Sequence, residues 1–384
     1  MMKIAILTGD NREHYKDYEK REPYFGTAPE ALLQGFAQLP EVEVHVVSCA
    51  RAKLSSPEKL APNIFFHSLY VPKLGWMRTG YQGCIRAARN KLREIQPEIV
   101  HGQGTELYCA LGAVFSGWPN VVTIHGNMAE LARLFKARIG SFHWLAARLE
   151  NFTLKRTGGV FCNSAYTEQL VKLRTPRTWR VPNAIREAFF VPPAKPAPVR
   201  KCTLVNVGLV SRRKRQVELL DVARELRQQG LDFEFQFIGQ ANPSDPYAAA
   251  FLEQIRPMEK EGFVRYAGLK GTQELLAAFD TSSALIHFPF EEAFGLVAAE
   301  GLARNLKFFG TRVGGLMDIA DGVPGAELFA LDDWQGLTAA IARWIRLGYP
   351  PAIGAGPVMR ARYHPLVIAQ RHVEVYREVL CRAS

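Results

Sequence analysis

The chain has 384 residues, 48% hydrophobic and 22% charged, with six cysteines and a formal net charge of +11. Its length exceeds the usual single core of about 100–150 residues, so two domains are expected, and the composition excludes a disordered or fibrous chain. The cysteines (Cys49, Cys84, Cys109, Cys162, Cys202, Cys381) form no CxxC pair, which excludes a zinc ribbon and a disulfide framework and points to reduced thiols.

The first strand is expected at 3–8, "KIAILT", a short apolar run of the kind buried in a parallel sheet. That run is too short for a signal peptide's apolar region, and no stretch approaches the roughly 18 apolar residues of a membrane span, so a soluble, cytoplasmic protein is expected. A helix over 27–39 follows, its start marked by a Thr27-x-x-Glu30 capping box and an early proline. Further strands are predicted at 42–48, 63–71, 98–102, 120–126 and 158–163, with helices at 81–95, 105–116, 128–138, 141–155 and 164–173. Four prolines within 192–198 make 191–201 a stiff connector and the domain boundary. The alternation then restarts, with strands at 202–208, 233–239, 263–268, 283–289 and 306–311. Helices are predicted at 215–229, 247–261, 272–279 and from about 295. A last amphipathic helix, 364–381, has the option of packing back on either domain. Two successive strand–helix series predict an α/β protein of two doubly wound, Rossmann-like parallel sheets: an N-terminal domain over 1–190 and a C-terminal domain over 202–363, with 364–384 free to return to the first.

The charge is uneven. Residues 1–190 carry 25 Lys+Arg against 16 Asp+Glu, which leaves nearly all the excess in that half. A basic half suggests nucleic acid, an anionic membrane or a phosphorylated substrate, or is simply a solvated surface.

In doubly wound sheets ligands bind beyond the carboxyl ends of the strands. There, residues 290–300 read "FEEAFGLVAAE", a turn leading into a helix whose first amides form an anion site. On a helical wheel Glu300 falls inside the stripe of Leu296, Val297, Ala299 and Ala303, so its carboxylate is expected to be buried with a dedicated partner. That partner is either a structural bond to amides or an arginine, or a ligand carrying hydroxyls. Glu292 and Glu300 stand about 10–12 Å apart along a mostly helical rise, a poor fit to a glycosidase pair and a better fit to two parts of one extended ligand.

Glu292-Ala293-Phe294-Gly295, Glu300 and Gly314-Gly315 together resemble, in order and spacing, the signature of the family 4 retaining glycosyltransferases of GT-B architecture. The resemblance implies two Rossmann-like domains facing each other across a cleft. It implies that Glu292 meets the donor sugar, that the amides of Ala293, Phe294, Gly295 and Leu296 hold the diphosphate or sugar, and that Glu300 binds ribose hydroxyls. "VNVGLVSRRKRQVELL" (205–220) resembles the family's Gly-Arg-Leu-x-x-x-Lys-Gly loop, with Gly208 as its glycine and Lys214 as its diphosphate lysine. The arginine position holds Leu209 and the trailing glycine is Arg215, so Arg212, Arg213 or Arg215 is expected to replace the missing cation, Arg213 among the donor-binding residues. By the same resemblance the backbone at Leu269 meets the base, Gly26 belongs to the glycine loop after the first strand, and His125 in "VTIHG" faces the reacting sugar. His101 in "IVHGQG" is a weaker version of the same idea, and a lone strand-end histidine is otherwise a structural one.

The implied reaction is a retaining, metal-independent transfer from a nucleotide-sugar donor (UDP or GDP) to a hydroxyl of a glycan, lipid-linked or phosphorylated acceptor. It uses no cofactor and belongs to bacterial-type polysaccharide or glycolipid synthesis. The sequence has no Asp-x-Asp, and the basic loop takes the place of a bridging metal. His125, Glu292 and Lys214 are the catalytic candidates, and closure about the proline-rich connector is expected to exclude water. Segment 73–156, with 12 Lys+Arg, 5 Asp+Glu and Trp76, Phe135, Phe142 and Trp144 among them, is a candidate surface for an anionic membrane, making the protein peripheral at the inner face. The alternatives are another nucleotide-sugar enzyme on the same architecture (an epimerase or a phosphorylase) and a basic nucleic-acid-binding protein. The last leaves a buried Glu300 unexplained, so no nucleic-acid partner is expected.

Overall fold

A computed structural model describes residues 1–192 and 201–383 of the chain. Most of the predicted connector, residues 193–200, lies outside the described residues. The chain divides into two compact units, Met1–Arg186 with Tyr363–Ser384, and Glu187–Arg362.

The first unit holds β1 (Met2–Leu7), β2 (Val42–Ala50), β3 (Lys59–Ala61), β4 (Ile64–Tyr70), β5 (Ile99–Gln103), β6 (Asn120–Ile124), β7 (Val160–Cys162) and β8 (Thr178–Arg180). Their order is β3-β4-β2-β1-β5-β6-β7-β8, parallel except for the short antiparallel edge strand β3. Alternate residues of one strand serve two cores. Ile4 and Ile6 pack with Val44, Val46, Phe36 and Tyr376, while Ala5 and Leu7 pack with Val47, Cys49, Leu92 and Tyr108. Burial on both faces is why these strands read as unbroken apolar runs. The last helix, Pro365–Ala383, lies on the helix Thr27–Phe36. Contact is close enough that a Cβ on Gly35 would meet the Pro365 carbonyl oxygen at 2.1 Å, so only glycine fits there.

The second unit holds β9 (Thr203–Val207), β10 (Glu234–Ile238), β11 (Val264–Gly268), β12 (Ala284–His287), β13 (Lys307–Thr311) and β14 (Ala326–Phe329), in the order β11-β10-β9-β12-β13-β14 and all parallel. Its core joins Phe235, Phe237, Phe251, Phe288 and Phe309 with the helices Gln216–Gln228 and Trp334–Arg346.

Several predicted elements are shorter than their sequence patterns, and β8, β14 and the helices Asn11–Tyr15, Trp334–Arg346 and Ala355–Tyr363 have no counterpart among them. The helix expected over 128–138 stops at Leu134, because Lys136 takes a left-handed φ of 47°. The helix expected over 105–116 spans Tyr108–Val114. The capping box is corrected too: Thr27 is already helical and Gly26 is the N-cap, its carbonyl accepting from the Glu30 N–H at 3.0 Å. Five of the six cysteines are buried, and Cys381 is exposed. Among the described residues no helix is long and apolar enough to cross a membrane.

Candidate active site

In the second unit the strand order reverses at β9, which lies between β10 and β12. The loops after β9 and β12 leave in opposite directions, and the crevice between them is where a doubly wound sheet binds ligands. The β9 loop carries Gly208 to Arg215, and the β12 loop carries Phe288 to Gly295. Backbone bonds hold the β12 loop on both sides: the Phe290 N–H donates to the Arg213 carbonyl of the β9 loop at 3.1 Å, and the Gly315 N–H, from the loop after β13, donates to the Glu292 carbonyl at 3.0 Å. A Cβ on Gly315 would lie 2.6 Å from the Ala293 carbonyl oxygen and from the Phe294 Cα, which explains a glycine there. Gly295, the N-cap of the helix Leu296–Ala303, sits at φ 102°, a conformation that favours glycine.

Five charged or titratable side chains converge at this point. Lys214 Nζ pairs with Glu292 Oε2 and lies 3.3 Å from His287 Nε2. His287, the last residue of β12 and fully buried, meets the same Glu292 oxygen at 2.9 Å. Arg213 Nη1 donates to the Glu291 carbonyl at 3.0 Å and its carboxylate at 3.3 Å, and stands 3.7 Å from Glu292 Oε1. Burial alone would raise the Glu292 pKa. Lys214, the His287 hydrogen bond and Arg213 together outweigh it and hold the carboxyl well below the usual carboxylate range. Burial pulls Lys214 down, with Glu292 opposing, and pushes His287 down to about 4 with help from Lys214.

The His287 tautomer follows. Its Nδ1 is buried without a partner among the described residues, so placing the proton there would strand a donor. The proton sits on Nε2, which donates to Glu292. His287 and Lys214 are therefore both donors to one carboxylate.

Glu291 is buried beside Glu292. It is 7% exposed and paired with Arg213, and burial raises its pKa against that pairing. The three arginines of the basic run separate as well. Arg212 is exposed. Arg215 holds a left-handed φ of 61° in the glycine position, pinned by an ion pair to Asp332 and by Trp334, whose ring centroid lies 4.4 Å from its guanidinium carbon. Arg213 alone of the three joins the Lys214–Glu292 cluster.

Ala293 and Phe294 are buried in the turn, and the amides of Leu296 and Val297 open the helix Leu296–Ala303 without an intrahelical acceptor. Glu300, four residues on, is 3% exposed, as the wheel requires. Gly208, at φ 154°, lies along the methylenes of Lys214. Leu269 follows β11 and is exposed, and the Gly268 carbonyl beside it accepts from the Gly239 N–H at 2.8 Å.

Gly26 and His125 belong to the first unit. His125 follows β6, its Nε2 2.8 Å from Gln103 Oε1. Burial pushes its pKa down to about 4, opposed by the Asn183 side chain, so the ring is neutral. His101 is a core residue: it has no exposed surface, and its nitrogens meet Tyr376 Oη at 2.5 Å and Thr123 Oγ1 at 2.7 Å. Trp76 is also buried, its indole N–H donating to the Val71 carbonyl at 3.0 Å, which removes it from the proposed membrane surface. The sequence reading missed His287 and the bond from Gln103 to His125. A histidine ending an apolar strand at residue 287 was the available signal.

Residues 30–189 match the model of Glycosyltransferase Family 4, and residues 201–346 match that of Glycosyl transferases group 1. No curated protein matches the sequence. Among solved structures, the fold is shared with sucrose-phosphate synthase from Thermosynechococcus elongatus, at TM-score 0.78 and 16% identity over 100% of both chains. It is shared with Anabaena HepE in complex with UDP and glucose, at 0.72 and 15%, over 98% of this chain and 100% of that one. A structure titled trehalose-6-phosphate from E. coli, bound with UDP-2-fluoro glucose, aligns at 0.70 and 13%, over 97% and 98%.

Proposed function

Because the chain belongs to the family 4, group 1 glycosyltransferases and has their GT-B architecture, we propose that it moves a sugar from a nucleoside diphosphate sugar, with UDP the first candidate, to an acceptor hydroxyl, retaining configuration at the transferred carbon. The observation that carries this reading is the Arg213–Lys214–Glu292–His287 cluster at the β9/β12 switch point. Two cations stand beside the amides that open a helix, as a diphosphate leaving group requires. UDP is favoured because HepE and the E. coli protein are described with UDP and UDP-2-fluoro glucose.

In this reading Lys214 and Arg213 stabilise charge on the departing diphosphate, with the amides of 293–296. No protein nucleophile is invoked, and the leaving phosphate helps take the acceptor proton on the same face. Glu292 orients the donor sugar, and Glu300 receives ribose hydroxyls, a partner suited to a buried carboxylate. Neutral His125 serves as a hydrogen-bonding group beside the sugar, and Leu269 offers its backbone to the base. The acceptor is a glycan, lipid-linked or phosphorylated molecule, in a pathway of polysaccharide or glycolipid synthesis. Delivery from an anionic membrane is supported by the turn after Leu134, where exposed Phe135, Ile139 and Phe142 alternate with Lys136 and Arg138 and no acid intervenes.

Thermal-shift titration of UDP, GDP, ADP and their sugars, on wild type and Glu300→Gln, tests the proposal. One nucleotide is expected to stabilise the wild type and to bind the variant at least tenfold more weakly. Stabilisation by none refutes the donor reading, and equal binding refutes the ribose role. Donor conversion without any acceptor alcohol would indicate an epimerase or phosphorylase instead. Failure to bind anionic liposomes at low salt would remove the membrane proposal.

A further inference from the structure

A cavity of about 750 Å³ lies within the second unit, to which all its lining residues belong. Ser282 and Ser283, just before β12, and Leu306, just before β13, place it at the amino ends of the strands. The loops of the candidate active site leave the carboxyl ends, so the two are at opposite edges of one sheet. The helix Leu296–Ala303 starts from Gly295 in the active-site loop and finishes at Ala303 and Arg304 in the cavity wall. Asn305 then takes a left-handed φ of 59° and turns the chain into β13. Voids of this size are rare inside close-packed domains, whereas small-molecule sites occupy about 300–1,000 Å³.

The wall is aromatic and apolar. Phe189, Phe190 and Phe279 are buried in it, Phe189 packing on Phe279 with ring centroids 5.9 Å apart. Two arginines hold the segment that carries the first two rings: Arg304 Nη1 donates to the Val191 carbonyl, and Arg360 Nη2 to the Phe190 carbonyl. The polar side chains of the wall are engaged with the protein. Ser282 Oγ donates to the Ala278 carbonyl at 2.7 Å, and Ser283 Oγ accepts from the Thr203 N–H at 3.3 Å. Asn305 Oδ1 accepts from the Gly356 N–H at 2.8 Å. A sugar or a nucleotide would exchange its water for few new hydrogen bonds here, so the body of a fitting ligand is apolar.

The charges of the wall do not cancel. Asp280 is the one acid among the described residues that line it, and Arg304 takes that carboxylate, Nε to Oδ1 at 2.8 Å. Arg360 remains. It is exposed, its guanidinium carbon stands 5.0 Å from the Phe190 ring centroid, and it has no ion pair among the described residues. One guanidinium between an apolar pocket and water suits one carboxylate attached to an apolar body.

We propose that this cavity is a second ligand site, taking a free aliphatic chain that ends in a carboxylate, with the chain among Phe189, Phe190 and Phe279 and the head on Arg360. The site is separate from the donor crevice and stands or falls without the donor reading.

The test is an NMR titration that follows octanoate, and octanol as the uncharged chain, both below the concentration at which they aggregate, with and without saturating UDP. Wild type is compared with Arg360→Gln, which keeps an N–H for the Phe190 carbonyl and loses the charge, and with Arg360→Lys, which keeps the charge. Thermal midpoints are measured in parallel. Octanoate is expected to bind wild type at least fivefold more tightly than octanol does. Arg360→Gln should abolish that preference while octanol binding stays within twofold, which shows the cavity intact, and Arg360→Lys should keep most of it. UDP should leave octanoate binding unchanged. If octanoate does not bind, if Arg360→Gln binds it as wild type does, or if UDP displaces it, the site is refuted.

Discussion

Replacing Lys214 by methionine keeps the aliphatic stem and removes the ammonium from a carboxylate that is nearly sealed from water. The Lys214 and Glu292 side chains are 13% and 11% exposed. Stranding one member of a buried pair costs about 3–5 kcal/mol when nothing replaces it. Here two groups remain: the His287 Nε2–H at 2.9 Å, and Arg213 Nη1 at 3.7 Å from the other oxygen. At an effective dielectric constant near 20, a charge at that distance attracts the carboxylate by about 4 kcal/mol, part of which Arg213 already gives to Glu291. The expected loss from Lys214→Met is therefore about 2–3 kcal/mol. Glu292→Leu leaves Lys214 facing Arg213 and should cost a similar amount. The double variant removes both charges together and should fall short of additivity by at least about 1 kcal/mol. Urea unfolding of all four proteins at neutral pH measures this, fitted to the transition of the second unit, with UDP affinity followed alongside. Single losses under about half a kcal/mol, or strict additivity, would refute the idea that these groups share one desolvated site. In the proposed mechanism both single variants also lose sugar transfer by two orders of magnitude or more.

His287→Leu removes a donor from Glu292 and should lower turnover about tenfold to a hundredfold with donor KM little changed, while His287→Gln, which returns an N–H at a similar reach, should recover most of it. Equal loss in both would make His287 a packing residue. Arg215→Gly gives the left-handed position its preferred residue but removes the Asp332 pair and the Trp334 contact, so stability should move by less than about 1 kcal/mol, whereas Arg215→Ala keeps the strain and loses the contacts and should be the worse of the two. Chemical denaturation of the two variants decides it. Acid should weaken the first unit: His372 is fully enclosed with its pKa pushed down to about 4 from 6.5, mainly by burial. Between those values the unfolded chain binds a proton that the folded one refuses, so stability falls as pH drops from about 6.5 to 4 and is unaffected above. The loss for this one group is at most about 3 kcal/mol. A midpoint that does not change between pH 7 and 5, or that is equally acid-sensitive in His372→Gln, would contradict this.

Much of the architecture is written in local pattern. A strand buried on both faces needs an apolar side chain at nearly every position, which is why "KIAILT" and "SALIHFP" are legible without any neighbour. Glu300 is legible for a related reason, since helical periodicity alone puts it among alanines and leucines and its 3% exposure follows. Glycine is legible where backbone meets backbone, as at Gly295 and Gly315.

The sequence could not say which of three arginines stands beside Lys214, or that Glu291 is buried. Both depend on the loop after β12 lying against the loop after β9, two segments nearly 80 residues apart that strand order makes neighbours. Periodicity carries the rise and facing of each element, so it fixed the strands, most of the helices and the burial of Glu300. Side-chain partners in loops carry no period. His287 on Glu292 and Arg215 on Asp332 were settled only when the sheet placed those loops side by side.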